Sequence, residues 1–204
     1  MSIETQRNEI RKKIKKLRSG QTELERGSRS AAIGVRLSTL HEFQTARAIA
    51  FYSSTQGEVK TDELIDLALR EGKKIAMPKV NTKSVAITFY QIRSRKNMKL
   101  GKHGILEPDG DHGSIVTGAE LDIMIVPGIA FDPNCERLGY GKGYYDSFLR
   151  EIGAMKVGLA FDFQIVPKIK RVEGDVKMDF VITESRLLHC NVEKVGKDLI
   201  LEQK

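Results

Sequence analysis

The apolar positions of this chain recur with two different periods, and the switching between them outlines a fold. Ile3, Ile10, Ile14 and Leu17 fall at helical spacing, which predicts an amphipathic helix with its cations on the wet side, stopping near Ser19-Gly20. Thr22-Glu23-Leu24-Glu25 has the form of a capping box and opens a second helix to about Leu40. The period then shortens. Ala48 to Tyr52 reads as a short buried strand, followed by turn residues Ser53 to Gly57. Asp62 to Arg70 reads as a helix closed by Gly72. Lys74 to Met77 is a strand stopped by Pro78, Val85 to Ile92 is a more alternating one, and the polar stretch from Arg93 to Gly118 reads as loop. Leu121 to Val126 is the clearest strand. A long loop then leads to a helix from Tyr144 to about Ile152, and Met155–Phe161 and Asp179–Thr183 supply two further strands. This alternation predicts one α/β domain over residues 1–204, with a mostly parallel sheet preceded by a helical segment.

Composition narrows the class. The 204 residues are 40% hydrophobic and 30% charged with 5 Pro, which excludes disordered and collagen-like chains. The longest apolar run, Ile123 to Phe131, is interrupted by Pro127 and Gly128, well short of the roughly 18 residues of a membrane span. The first residues are charged where an export signal is apolar. Cys135 and Cys190 have no C-x-x-C spacing, so neither a disulfide framework nor a metal site is expected. Together these predict a soluble protein of a reducing compartment, the cytoplasm. The net charge is +7, but residues 1–30 alone hold nine basic against four acidic residues, and the rest of the chain is near neutral. The basic run RNEIRKKIKKLR is therefore either a solvated helix face or a site for phosphates, of a small ligand or of a polynucleotide.

In open α/β sheets ligands gather at the carboxyl ends of strands, which singles out the loops after Tyr52 and Val126. Residues 126–150 read VPGIAFDPNCERLGYGKGYYDSFLR. Gly139, Gly141 and Gly143 let backbone N–H groups turn toward an anion, and a helix from Tyr144 aims its positive end at the same place. Arg137 and Lys142 add full charges, and Asp146 stands where a divalent cation could bridge phosphate oxygens. The spacing is neither that of a Walker A loop nor that of a dinucleotide fingerprint. Tyr144 and Tyr145 can equally pack the first helical turn.

The sequence VPGIAFD…RLGYGKGYYDSFL resembles the signature of the 5-formyltetrahydrofolate cyclo-ligase family, also called methenyltetrahydrofolate synthetases. The likeness extends to Arg7-Asn8-Glu9-Ile10-Arg11 in the basic helix, Glu58-Val59-Lys60-Thr61, Ile75 to Pro78, Gly104 to Pro108, and Met178, Asp179 and Val181. Where the family opens the first of these with Lys, this chain has Arg7. The resemblance implies a three-layer α/β fold and an ATP- and Mg²⁺-dependent closure of 5-formyltetrahydrofolate to 5,10-methenyltetrahydrofolate, with release of ADP and phosphate, by a monomer that binds no nucleic acid. It puts Arg7, Asn8, Glu9, Ile10 and Arg11 against ATP, together with Arg137, Leu138, Gly139, Tyr140, Gly141, Lys142, Gly143, Tyr144 and Tyr145. Ser53, Glu58 and residues Tyr140 to Tyr144 line the folate site, Asp146 and Asp179 hold magnesium, and Arg137 and Lys142 serve catalysis. Apart from the resemblance, Glu58 reads as an exposed loop acid and Asp179 as a strand-edge residue.

Phosphoryl transfer needs positioning and charge neutralisation more than a protein nucleophile, and no Ser/His/Asp or Cys/His set stands out. His103, Asp109, Asp111 and His112 read as solvated loop side chains, and Cys135 as a space-filling residue. Two readings compete with a cyclo-ligase: another ATP-dependent ligase or kinase on a similar scaffold, and a nucleic-acid-binding module that uses the basic helix. The second lacks any RRM, KH or helix-turn-helix signature.

Overall fold

A computed structural model describes residues 2–55, 57–81, 86–101, 104–109 and 113–190. Its helices are α1 (Ile3–Ser19), α2 (Glu23–Ser38), α3 (His41–Thr45), α4 (Asp62–Arg70) and α5 (Tyr144–Arg150). The central strands in chain order are β1 (Ala48–Ala50), β2 (Lys74–Asn81) and β3 (Ala86–Ile92). Two short hairpin strands follow, β4 (Met98–Leu100) and β5 (Leu106–Pro108), then β6 (Ile115–Val116) and β7 (Ile123–Val126). The rest are β8 (Ala130–Phe131), β9 (Arg137–Leu138), β10 (Met155–Leu159), β11 (Phe180–Ile182) and β12 (Leu187–His189).

Eight strands form one sheet in the order β12-β11-β10-β7-β1-β2-β3-β6. The five from β11 to β2 run parallel; β12 and β3 pair antiparallel at either side of them, and β6 pairs antiparallel with β3 at the edge. The apolar runs account for this: β1 and β7 are buried at every position, as parallel strands covered on both faces must be. On one face Ile33 and Leu37 of α2, Phe43 of α3 and Leu64, Ile65 and Ala68 of α4 pack against Ile49, Ile75 and Ile125. On the other, Leu149 of α5 packs with Phe89, Met124 and Val181. The expected three layers and mostly parallel sheet are present. Thr22 and Glu25 form the anticipated capping box at the start of α2.

Strand order reverses between β1, whose chain moves on to β2, and β7, whose chain moves on to β10. At such a switch point the two following loops diverge and leave a crevice. The loops after β1 and β7 are the two singled out from the sequence.

Four expectations need correction. β2 does not stop at Pro78 but continues to Asn81, with Pro78 opposite Phe89 of β3. Pro78 lies beyond the end of β1, which pairs only as far as Ala76, so there the strand is locally an edge, where proline is tolerated. The stretch 93–118 holds the β4–β5 hairpin. The cations of α1 are not all on its wet side: Arg7 and Arg18 are buried beside Ile14, while Ile3 and Leu17 are exposed. Lastly, Cys135 and Cys190 are joined in a disulfide, which staples the end of β12 to the turn between β8 and β9. No helix among the described residues is long and apolar enough to cross a membrane.

Candidate active site

A cleft of about 350 Å³ opens at the switch point. One wall is the loop after β1, with Tyr52, Ser53, Thr55 and Glu58. The opposite wall is the glycine loop and the start of α5, from Gly139 to Asp146. Pro78 and Val80 of β2 and Ile87 of β3 make an apolar floor, and Ile105 and Glu107 beside the β4–β5 hairpin close the side. An apolar pocket with a few convergent polar groups is what a flat heterocyclic ligand requires.

The glycine loop is shaped by its backbone. Gly141 (φ 94°) and Gly143 (φ 71°) both take left-handed conformations, which side-chain-bearing residues adopt at a cost. Gly143 is the N-cap of α5 and has no capping side chain, so the first amide groups of the helix are left for another acceptor. Arg137, buried in β9, donates from Nη1 to the Pro127 carbonyl (3.1 Å) and from Nη2 to Asp146 Oδ1 (2.5 Å). Its Nε is buried with no partner among the described residues. Lys142 is exposed on the cleft wall.

Glu58 is the principal surprise on the facing wall. An exposed acid is the plain expectation for that loop, yet Glu58 is 5% exposed. Its Oε2 accepts from the Thr55 N–H (2.9 Å) and its Oε1 from the Tyr140 hydroxyl (2.8 Å). Tyr140 therefore bridges the two walls. Its ring is half exposed, but enclosure of the hydroxyl and the Glu58 charge push the phenol up to about 12. Tyr145 is likewise raised, by burial first and Glu58 second, so both phenols stay protonated donors at neutral pH. Ser53 is on the same wall and donates to the Leu106 carbonyl (2.5 Å), tying the loop to the β4–β5 hairpin.

The N-terminal motif is only partly at this site. Arg11 donates from Nε to the Gly139 carbonyl (3.1 Å), and an added Cβ at Gly141 would touch its guanidinium at 3.4 Å. Arg7 instead makes a bidentate pair with Asp175 (2.6 and 3.1 Å) and donates to the Lys170 carbonyl. Asn8 and Glu9 are exposed and Ile10 packs beside Ile14 and Leu138. The two expected magnesium carboxylates are not brought together either. Asp146 borders the cleft at the carboxyl end of β7, whereas Asp179 accepts from the Lys156 N–H (2.8 Å) near the start of β10, at the opposite end of the sheet. No group of three or more His, Cys, Asp or Glu side chains with metal-site geometry occurs among the described residues. Of the loop cluster drawn from the sequence, His103, Asp111 and His112 lie outside the described residues, and Asp109 pairs with Lys99.

A family model, that of the 5-formyltetrahydrofolate cyclo-ligase family, matches residues 3–184. The chain belongs to this family. A probable 5-formyltetrahydrofolate cyclo-ligase of Caenorhabditis elegans is 30% identical over 92% of this chain and 97% of its own. The Escherichia coli K12 5-formyltetrahydrofolate cyclo-ligase is 31% identical over 74% of this chain and 86% of its own. The Aquifex aeolicus 5,10-methenyltetrahydrofolate synthetase structure superposes with a TM-score of 0.83 at 32% identity, covering 97% of this chain and 99% of that one. The Mycoplasma pneumoniae synthetase, at 22% identity and a TM-score of 0.71, shares the fold. As a cyclo-ligase the chain is an enzyme of the ligase class.

Sequence reasoning missed Arg18 and the apolar floor of this cyclo-ligase cleft. Arg18 donates to the Tyr140 hydroxyl (3.0 Å) and the Gly128 carbonyl. A signal was present: Arg7, Arg11, Ile14 and Arg18 recur at i, i+4, i+7 and i+11, one helical stripe.

Proposed function

We propose that this chain converts 5-formyltetrahydrofolate to 5,10-methenyltetrahydrofolate in an ATP- and Mg²⁺-dependent reaction, as one domain acting as a monomer on small molecules. The observation that carries this reading is that a glycine loop fit for phosphates and a buried carboxylate fit for a pterin edge face one cleft. Glu58 offers acceptors to the amino and N–H donors of the pterin, while Tyr140 and Tyr144 offer ring faces. Residues Gly139 to Tyr145 present backbone N–H groups to the nucleotide phosphates, with Arg11 behind them.

The formamide carbonyl is a poor electrophile with a poor leaving group. In this reading the formyl oxygen attacks the γ-phosphorus of ATP and ADP departs. N10 then attacks the formyl carbon and gives up its proton to the departing phosphate, and the new ring forms as phosphate leaves. Lys142 and Arg137 neutralise the charge that gathers on the transferred group. Magnesium fits this site as a cation carried on the nucleotide: Asp146 offers one carboxylate, and Mg²⁺ commonly takes one or two carboxylates, phosphate oxygens and water. When bound there it would supply charge neutralisation for the phosphates. Asp179 is too far round the sheet to share that ion. The inward turn of Arg7 and Arg18 also reduces the cations that α1 could offer a polynucleotide.

An absorbance assay for the methenyl product, with and without ATP and Mg²⁺, tests the proposal. Turnover only when both are present is expected, and equal turnover without nucleotide would overturn it.

A further inference from the structure

We propose that Arg18 positions Glu58 and Tyr140 for the folate ring, a role that rests on the folate reading above. Arg18 belongs to α1 but lies outside its nucleotide motif, and its side chain is 7% exposed. From Nη1 it donates to the Tyr140 hydroxyl (3.0 Å) and stands 3.8 Å from Glu58 Oε1. From Nη2 it donates to the carbonyl of Gly128, which follows the end of β7. One planar fork thus engages the loop after β1, the loop after β7 and the glycine loop. A lysine could reach only part of that set.

The surroundings fit a precise seat for this side chain. Gly57, beside Glu58, has φ 82°, and a Cβ there would lie 3.0 Å from the Arg18 Cβ. A side chain at residue 57 would strain the left-handed backbone and push α1 off the loop by a few tenths of an ångström. The Tyr140 hydroxyl accepts from Arg18 and donates to Glu58, so its proton direction is set by the guanidinium. The carboxylate is then presented with a positive neighbour and fixed orientation. A flexible Glu58 would have to be ordered by the ligand, which weakens binding.

A purely structural Arg18, pinning α1 through Gly128, would weaken nucleotide and folate binding together. Calorimetric titration of the full-length protein separates the cases, with 5-formyltetrahydrofolate and ATP as separate ligands. Arg18→Gln is expected to raise the Kd for 5-formyltetrahydrofolate roughly 30-fold and that for ATP less than about threefold. In a Glu58→Gln background it should add less than about threefold to the folate Kd, because coupled residues are not additive. Arg18→Lys, which keeps the charge, should give an intermediate loss for folate alone and carries the test if the glutamine variant does not fold. Equal losses for both ligands, additive losses in the double variant, or unchanged folate affinity in a folded Arg18→Lys protein overturns the role. A wild-type protein that binds no 5-formyltetrahydrofolate overturns the folate reading itself, and this role with it.

Discussion

Replacing Asp146 by Asn removes one negative charge and almost no volume, at a position where two functions meet. If Asp146 were only a first-turn acid of α5, an amide would serve nearly as well and stability would change by less than about 1 kcal/mol. The structure raises that figure. Asp146 is the counter-charge of Arg137, whose side chain is 3% exposed against 23% for Asp146. Asn can still accept from Nη2, but the charge assistance disappears, a loss of about 1 kcal/mol. The guanidinium, with an unpartnered Nε, is also left buried without its anion, where full burial would cost about 3–5 kcal/mol. Because Asp146 is partly solvated, about 2 kcal/mol is expected, or about 4–8 °C in Tm for a chain of this length. Magnesium-dependent turnover should fall about a hundredfold, about 2.7 kcal/mol in the barrier. Thermal denaturation and turnover measured on the same preparation check both. A Tm within a degree of wild type would refute the ion-pair argument, and wild-type turnover in folded protein would remove Asp146 from the chemistry.

Glu58→Gln should weaken 5-formyltetrahydrofolate binding tenfold or more while ATP binding changes little, which separate calorimetric titrations would show; parallel losses would count against the assignment. Burial alone would push the Asp175 carboxyl up, but the Arg7 hydrogen bond, the Val172 N–H and the Arg7 charge hold it below its ordinary value. Its contribution to stability is therefore full above the unfolded value near pH 4 and is lost as pH falls through the lower folded value. Asp175→Asn should cost about 3 kcal/mol at pH 7, and urea titrations across pH should show the gap to wild type closing below about pH 4; a gap independent of pH would contradict this. Reducing the Cys135–Cys190 disulfide, which joins positions 55 residues apart, should lower stability by up to about 4 kcal/mol on loop entropy, read as a drop in urea midpoint with dithiothreitol.

What could be read from the sequence was whatever local pattern controls. The capping box at Thr22, the β7 run and the glycine loop are each written within a few residues, and each is found in the structure. Pro78 misled because a strand's tolerance of proline depends on where its neighbour β1 stops, which no window around residue 78 contains. Glu58 looked exposed for the same reason: its burial depends on Tyr140, 82 positions on. Arg7 and Arg18 were assigned to water because arginine on a helix usually belongs there, and their buried partners lie more than a hundred residues away. The Arg11 contact with the glycine loop follows the family resemblance, whereas Arg7 and Asp179 are committed to other partners.

The Arg7–Asp175 pair also orders events during synthesis. Arg7 of α1 is made 168 residues before its carboxylate partner, on the order of ten to thirty seconds at ordinary elongation rates. The helix's other anchors, Gly128, Gly139 and Tyr140, also come late. Until then α1 carries a row of cations with most of its docking surface missing, and a helix in a protein is held mainly by packing its amphipathic face. Helix α1 is thus among the last elements to find its place, and the cleft is complete only when it does.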